Sequence, residues 1–310
     1  MKYFLAFVFI AILGVGAYLF LATDLFTVTE EEPDEPIDME EPDDDDLDGD
    51  ADEADLEDEE TRVRESYEEV IGRSVQGRDI TAYHFGGGDE TILFVGGIHG
   101  GYSWNTALLG YGLVDHFETN LESIPENLKV TVIPTLNPDG LYRVVGIEGR
   151  FTPSDVSGNT AEGRFNANGV DLNRNFDCNW ETTSVWGTQV VDAGSNPFSE
   201  PEADALKDHV LNSDPSAVVV YYSAGGGVFS SSCNGPALEE TDRLMNIYAD
   251  ASGYSAEGVF DSYKITGDAA DWMASINVPA ISVILNSHDS TDWSENRTGV
   301  EAVIREYGNQ

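Results

Sequence analysis

The stretch TILFVGGIHGGYSWNTALLGYGLVDHFETNL, residues 91–121, carries three signals in order. A short apolar run rich in β-formers breaks at a glycine pair, a lone histidine, His99, follows, and the next eighteen residues place apolar side chains at helical spacing. A strand feeding a helix through a glycine loop places that histidine at the strand's carboxyl end. Outward from it, LKVTVIPTL (128–136), SAVVVYYSAGGGV (216–228) and VPAISVIL (278–285) read as further strands. Apolar residues on both faces of these runs ask for cover on both sides. Between them, SEPEADALKDHVLN (199–212) reads as a helix, with Ser199 and Glu202 in capping-box positions and Pro201 in the first turn. The fold class is therefore α/β, a mixed β-sheet sandwiched between α-helices. In such sheets ligands gather at the carboxyl ends of strands, where His99, Tyr222 and the residues after Ile284 stand. The Gly- and Asn-rich segment from about 143 to 197 reads as a long functional loop.

The chain upstream is different in kind. Residues 3–22 are uncharged and mostly apolar, and at ~1.5 Å per residue a helix of that length spans ~30 Å of hydrocarbon. An uncleaved anchor and a cleaved signal segment both fit this run. Its length favours the anchor, because secretory apolar centres are usually ~7–15 residues. From 24 to 62 Asp and Glu dominate, including the run EPDDDDLDGDADEADLEDEE, which reads as a disordered acidic linker. The expected organisation is an anchor over 1–23, a linker over 24–62 and one folded domain over 63–310. Lys2 is the sole basic residue near the apolar run, so the domain is expected outside the cytoplasm, tethered to a membrane by a single pass.

With 58 acidic against 15 basic residues the formal charge is −43, which argues against nucleic acid as a partner. Cys178 and Cys233 lack the C-x-x-C spacing of zinc sites. Outside the cytoplasm a disulfide between them is expected, with two buried thiols as the alternative.

Five landmarks follow one another: GGIHGG (96–101), TLNPDGLYRV (135–144), GRFNANGVDLNRNFD (163–177), SEPEADAL (199–206) and TGDAADWM (266–273). In this order they closely resemble the M14 zinc carboxypeptidases, over roughly residues 65–310. The resemblance implies one zinc held by two histidines and a glutamate, a water-activating glutamate, and a pocket for a peptide's free C-terminus.

His99 matches the first zinc ligand. The ligand glutamate's position holds Tyr102 or Ser103, the second histidine's position holds Tyr222, and the general base's position holds Ile284. Losing two ligands should cost at least ~10²–10⁴ in metal affinity, and losing the base a further ~10²–10⁴ in rate. Substrate positions, by contrast, match the family: Asn173 and Arg174 at the carboxylate pair, Arg164 at the carbonyl-polarising arginine, and Tyr263 at the mobile tyrosine. A planar guanidinium can hold a carboxylate through two parallel hydrogen bonds. A scaffold role for Arg174, paired with Asp171 or Asp177, stands beside this reading.

The expected function is non-hydrolytic capture of peptide C-termini at the cell envelope, with no cofactor, or with zinc if Tyr222, Ser103, His288 and Asp289 have rebuilt a site. The alternatives are a working carboxypeptidase with an altered zinc site and a purely structural tethered domain. His84, His116 and His209 are expected to be ordinary surface or helix residues.

Overall fold

In the computed structural model residues 66–309 are described; the apolar run 3–22 and the acidic run 24–62 lie outside them. Among the described residues no helix is long and apolar enough to cross a membrane.

The strands are β1 (Ser66–Arg73), β2 (Asp79–Phe85), β3 (Glu90–Val95), β4 (Leu128–Ile133), β5 (Thr183–Trp186), β6 (Gln189–Asp192), β7 (Ala217–Ser223), β8 (Val228–Ser230), β9 (Ala256–Val259) and β10 (Ala280–Leu285). The α-helices are α1 (Trp104–Thr119), α2 (Pro138–Val145), α3 (Pro201–Ser213), α4 (Glu239–Ser252), α5 (Ala269–Ser275) and α6 (Trp293–Tyr307). Eight strands form one sheet in the order β1-β2-β4-β3-β7-β10-β8-β9, and β5 and β6 form a separate hairpin. The centre, β4-β3-β7-β10, is parallel, while β1, β2 and β8 pair antiparallel with their inner neighbours.

Strand side chains alternate between faces with period two, so consecutive apolar residues must feed two cores. Ile92, Phe94, Val219, Tyr221, Val283 and Leu285 pack on one face with α1, α4 and α6. Leu93, Val95, Val218, Val220 and Tyr222 face the other way, onto α3 and α5. This is the helix–sheet–helix sandwich expected from the runs of Val, Ile and Leu.

Three details depart from the sequence reading. α3 begins at Pro201 without a capping box, because both members are drawn into tertiary contacts. Ser199 Oγ accepts from Asn175 Nδ2 (3.0 Å), and buried Glu202 accepts from Val75 N (3.1 Å) and Asn166 Nδ2 (3.1 Å). The long segment is folded down by short 3₁₀ turns and by the β5–β6 hairpin. Finally, His84 is buried in strand β2 and so is not the surface or helix residue expected, whereas His209 lies on helix α3 as expected, partly buried.

Cys178 and Cys233 form a disulfide with a Cα–Cα distance of 5.9 Å across 55 residues. Closing a loop of that length restricts the unfolded chain by about 4 kcal/mol in the entropic model. Reduction is therefore expected to lower the urea midpoint clearly, read by fluorescence with and without reductant; an unchanged midpoint would refute the contribution.

Candidate functional site

The parallel strands β3, β7 and β10 deliver their carboxyl ends to one cleft of about 290 Å³. His99, Tyr102, Arg164, Asn173, Arg174, Tyr222, Tyr263 and Ile284 all line it. The cleft thus brings together the substrate positions and His99, Tyr102, Tyr222 and Ile284, whereas Ser103 is buried behind it, donating to Ser223 O at 3.4 Å, and His288 and Asp289, the other candidate metal donors, are not among its lining residues.

His99 is carried on the turn after β3, which lies against the segment bearing Arg164. Gly101 N donates to Gly163 O (3.0 Å), and Gly100 sits at φ +40°, where a Cβ would stand 2.7 Å from Gly163 O. Only glycine allows that approach. Asn137 and Asp139 of the NPDG landmark are scaffold. Asn137 caps α2 by accepting from Gly140 N (2.8 Å), and buried Asp139 accepts from Ser74 Oγ, Gln76 N and Arg78 Nη1.

Arg164 and Asp171 form a buried ion pair, with Nε 2.9 Å and Nη2 2.8 Å from Oδ2. Arg164 also faces the Trp186 ring at 4.4 Å. This removes Asp171 from the alternative that paired it with Arg174. Arg174 is 1% exposed; its Nε donates to Val185 O (3.0 Å) and Nη1 to Asn173 O (2.6 Å). No carboxylate among the described residues lies within salt-bridge distance of it. Arg174 is held in place by Gly267, at φ +66°, where a Cβ would be 2.2 Å from Arg174 O.

Asn173 is more committed than the sequence implied. Its Nδ2 donates to Asp268 Oδ2 (2.6 Å), and its Oδ1 accepts from Tyr222 OH (3.2 Å) and Ala269 N (3.1 Å). It ties the carboxylate-pair loop to α5 and to β7. Asp268 caps α5 through Ala270 N and Asp271 N, a contact no sequence signal had assigned to the cleft wall. Tyr263 contacts Phe260 edge-on, with ring centres 5.1 Å apart. Tyr102 packs against Trp186 and His288, and His288 Nδ1 lies 3.0 Å from Ser223 Oγ.

The donor set can be tested against zinc. His99 is buried, with neither ring nitrogen hydrogen-bonded and Nε2 3.5 Å from Asp171 Oδ1. Burial, reinforced by the Arg164 charge, pushes its pKa down to about 4, so it presents a neutral imidazole. The other positions do not fit. Burial, with Asp268 and Asp271 nearby, holds the Tyr222 phenol well above its ordinary pKa, and its O–H is already donated. Ile284, directly opposite Tyr222 in the parallel register, is a hydrocarbon. Among the described residues no group of three or more His, Cys, Asp or Glu side chains is gathered for a metal. One nitrogen and a neutral phenol do not make a zinc centre.

Asp271 lines the same cleft and accepts from Ser232 N (3.0 Å). Burial, and then the Asp268 charge, raise its pKa to about 7. A carboxyl raised by folding destabilises where the unfolded chain would be ionised. The penalty is absent below about pH 4, grows as pH rises to about 7 and is constant above. Asp271→Asn is expected to raise Tm by several degrees at pH 8 and to leave it unchanged at pH 4. An equal shift at both would refute the assignment.

An eight-stranded mixed sheet between helices, with an arginine-bearing cleft at its strand ends, defines a carboxypeptidase-like α/β protein. The chain belongs to the zinc carboxypeptidase family, Peptidase_M14, which matches residues 59–308.

Over 151 residues it is 30% identical to Carboxypeptidase B of Astacus astacus, covering 46% of this chain and 48% of that protein. Over 148 residues it is 34% identical to Bacteriocin BCN5 of Clostridium perfringens, covering 46% of this chain and 15% of that one. It is 26% identical over 203 residues to Inactive metallocarboxypeptidase ECM14 of Uncinocarpus reesii, covering 56% of this chain and 34% of that protein. The matches thus span about half or less of these relatives. In structure it resembles bovine thrombin-activatable fibrinolysis inhibitor (TM-score 0.62, 17% identity, 78% of this chain and 88% of that one). It also resembles murein-tripeptide amidase MpaA from Escherichia coli O157 (TM-score 0.51, 22% identity, 77% of this chain and 91% of that one). At these identities the likeness concerns the fold.

Proposed function

We propose that this domain captures the free C-terminal carboxylate of peptides without hydrolysing them, held at the cell envelope by the apolar run 3–22. The observation that carries the reading is Arg174, a buried guanidinium lining the cleft whose hydrogen-bond acceptors among the described residues are the backbone carbonyls of Val185 and Asn173. A fixed, desolvated guanidinium is suited to a carboxylate ligand. Beside it, the positions that would hold zinc and deprotonate water carry Tyr222 and Ile284, so the cleft can bind more readily than it can cut. That a relative is named an inactive metallocarboxypeptidase gives the reading a precedent within the family.

The test offers the full chain a panel of peptides, each as free acid and as C-terminal amide, and follows binding by calorimetry and the peptides by mass spectrometry with zinc present. The expected result is saturable binding of the acids at least ~10-fold tighter than of the amides, in line with one charge-assisted hydrogen bond lost, and no shortened product. Chelator-sensitive release of C-terminal residues would replace this reading with an active carboxypeptidase. No saturable binding would leave a structural domain.

A further inference from the structure

The two cysteines share a local arrangement. Each is followed by an asparagine, Asn179 and Asn234, and both asparagines hold a left-handed backbone, at φ +51° and +60°. Each side-chain amide donates to the sulfur before it, at 3.5 Å in both cases. Asparagine adopts this backbone more readily than most residues, so the conformation that aims the amide is one it tolerates. The disulfide therefore carries an N–H donor on each sulfur. A donor aimed at a titrating atom favours its charged form, and a stabilised thiolate is the better leaving group in thiol–disulfide exchange. Access differs between the two ends. Cys178 is 3% exposed, while Cys233, in the loop after β8, is only partly buried, so an incoming thiolate meets Cys233 first.

The bond also joins two walls of the carboxylate cleft. On one side Phe176 N donates to Gly267 O (3.1 Å) and Gly267 N to Cys178 O (2.8 Å), and the same Gly267 packs against the Arg174 carbonyl. On the other side Ser232, next to Cys233, donates its N–H to Asp271 (3.0 Å), and Phe229 and Ser230 of β8 line the cleft. The turn into α5, Gly267 to Asp271, is thus held from both ends of the disulfide.

We propose that Cys178–Cys233 is a reversible exchange site for dithiol reductants, and that its oxidised form keeps the cleft in its carboxylate-binding arrangement. The second half rests on the capture reading above. In the forward step a thiolate of the dithiol attacks Cys233 Sγ, the bond to Cys178 breaks, and its electron pair leaves on Cys178 Sγ, where Asn179 donates. The dithiol's second thiolate then attacks its own bridged sulfur and releases Cys233 as a thiolate, where Asn234 donates. The cystine gains two electrons, the dithiol closes to a disulfide, and its two protons end on the two cysteines. Once the bond is open, only hydrogen bonds and packing keep the Arg174 segment and the β8 loop in register, and the guanidinium is less firmly placed.

The test treats the full chain with dithiothreitol, counts free thiols by alkylation and mass spectrometry, and follows the fold by intrinsic fluorescence. Binding of the free-acid and amide peptides is measured before reduction, after it and after reoxidation. The expected result is release of both thiols with native fluorescence retained. Free acids should then bind roughly 3–30-fold more weakly, the coupling a packed network carries, amides nearly as before, and reoxidation should restore the difference. Asn179→Gly keeps the left-handed backbone while removing the donor on the leaving sulfur, and should slow reduction about 2–10-fold, the worth of one hydrogen bond. Asn234→Gly should slow it less. Unchanged rates in both variants, or thiols that appear only as native fluorescence is lost, would overturn the proposal. So would unchanged acid binding by the reduced, folded chain. A Cys178→Ser, Cys233→Ser chain should bind as the reduced protein does and ignore the reductant; should it fail to fold, reversible reduction of the native chain decides. Absence of saturable binding by the oxidised chain would remove the capture reading, and this proposal with it, before any reductant is added.

Discussion

Replacing Asp171 by alanine is expected to cost the domain about 3–5 kcal/mol, the usual result of leaving one partner of a buried ion pair behind. Asp171 is fully buried, and its Oδ2 takes both Arg164 contacts, at 2.9 and 2.8 Å. Its Oδ1 accepts from Asn173 N at 3.2 Å and faces His99. Burial alone would raise the carboxyl pKa, but the Arg164 charge beside it holds it far below the usual carboxylate range. Its contribution is therefore full above the unfolded carboxylate pKa and is lost only as pH falls well below it. For a domain of this size the loss corresponds to a Tm fall of roughly 6–20 °C. Measured by calorimetry at pH 7, a fall of under a degree would show that the pair does not stabilise the fold. Arg164→Met added to Asp171→Ala should recover much of the loss, because the penalty comes from the stranded guanidinium more than from the missing attraction. Failure to recover would move the effect to the Asn173 N contact.

That ion pair also marks where sequence reading reached its limit. The four central strands and the helix after His99 were legible because each strand is apolar on both faces and the helix keeps its period. Strands β1 and β2 were missed. SYEEVIGR alternates poorly, being an edge strand exposed along most of its length, and DITAYHF hides its buried stripe behind polar neighbours. The landmark residues fixed the family because they build the scaffold. Asn137, Asp139, Asn166 and Glu202 hold loops together by hydrogen bonds that a substitution would strand in the interior. Which arginine pairs with Asp171 was not legible. Arg164 and Arg174 lie at different separations from it, and the choice is made by the 3₁₀ turn at Leu172–Arg174, which sends Arg174 toward Val185. Nor did spacing reveal that Asn173, with both ends of its amide engaged, is a strut of the cleft as well as a wall.

Arg174→Ala is expected to weaken binding of free-acid peptides by roughly 10²–10⁴-fold, the equivalent of two charge-assisted hydrogen bonds. Amidated peptides, which lack the anion, should lose far less. The difference between acid and amide within each variant is the decisive reading, since it cancels any general loosening of the cleft. Arg174→Met keeps much of the stem's packing and should lose the acid preference as fully as alanine does. Arg174→Lys keeps the charge without the planar fork and should fall between. The same site predicts a pH dependence. Asp271 ionises near pH 7 beside the cleft, placing a second anion close to the ligand's, so acid binding should weaken as pH rises through 7. Asp271→Asn should flatten that profile. An acid preference untouched by both Arg174→Ala and Arg174→Met would mean that the carboxylate is gripped elsewhere, with Arg164 the next guanidinium to test.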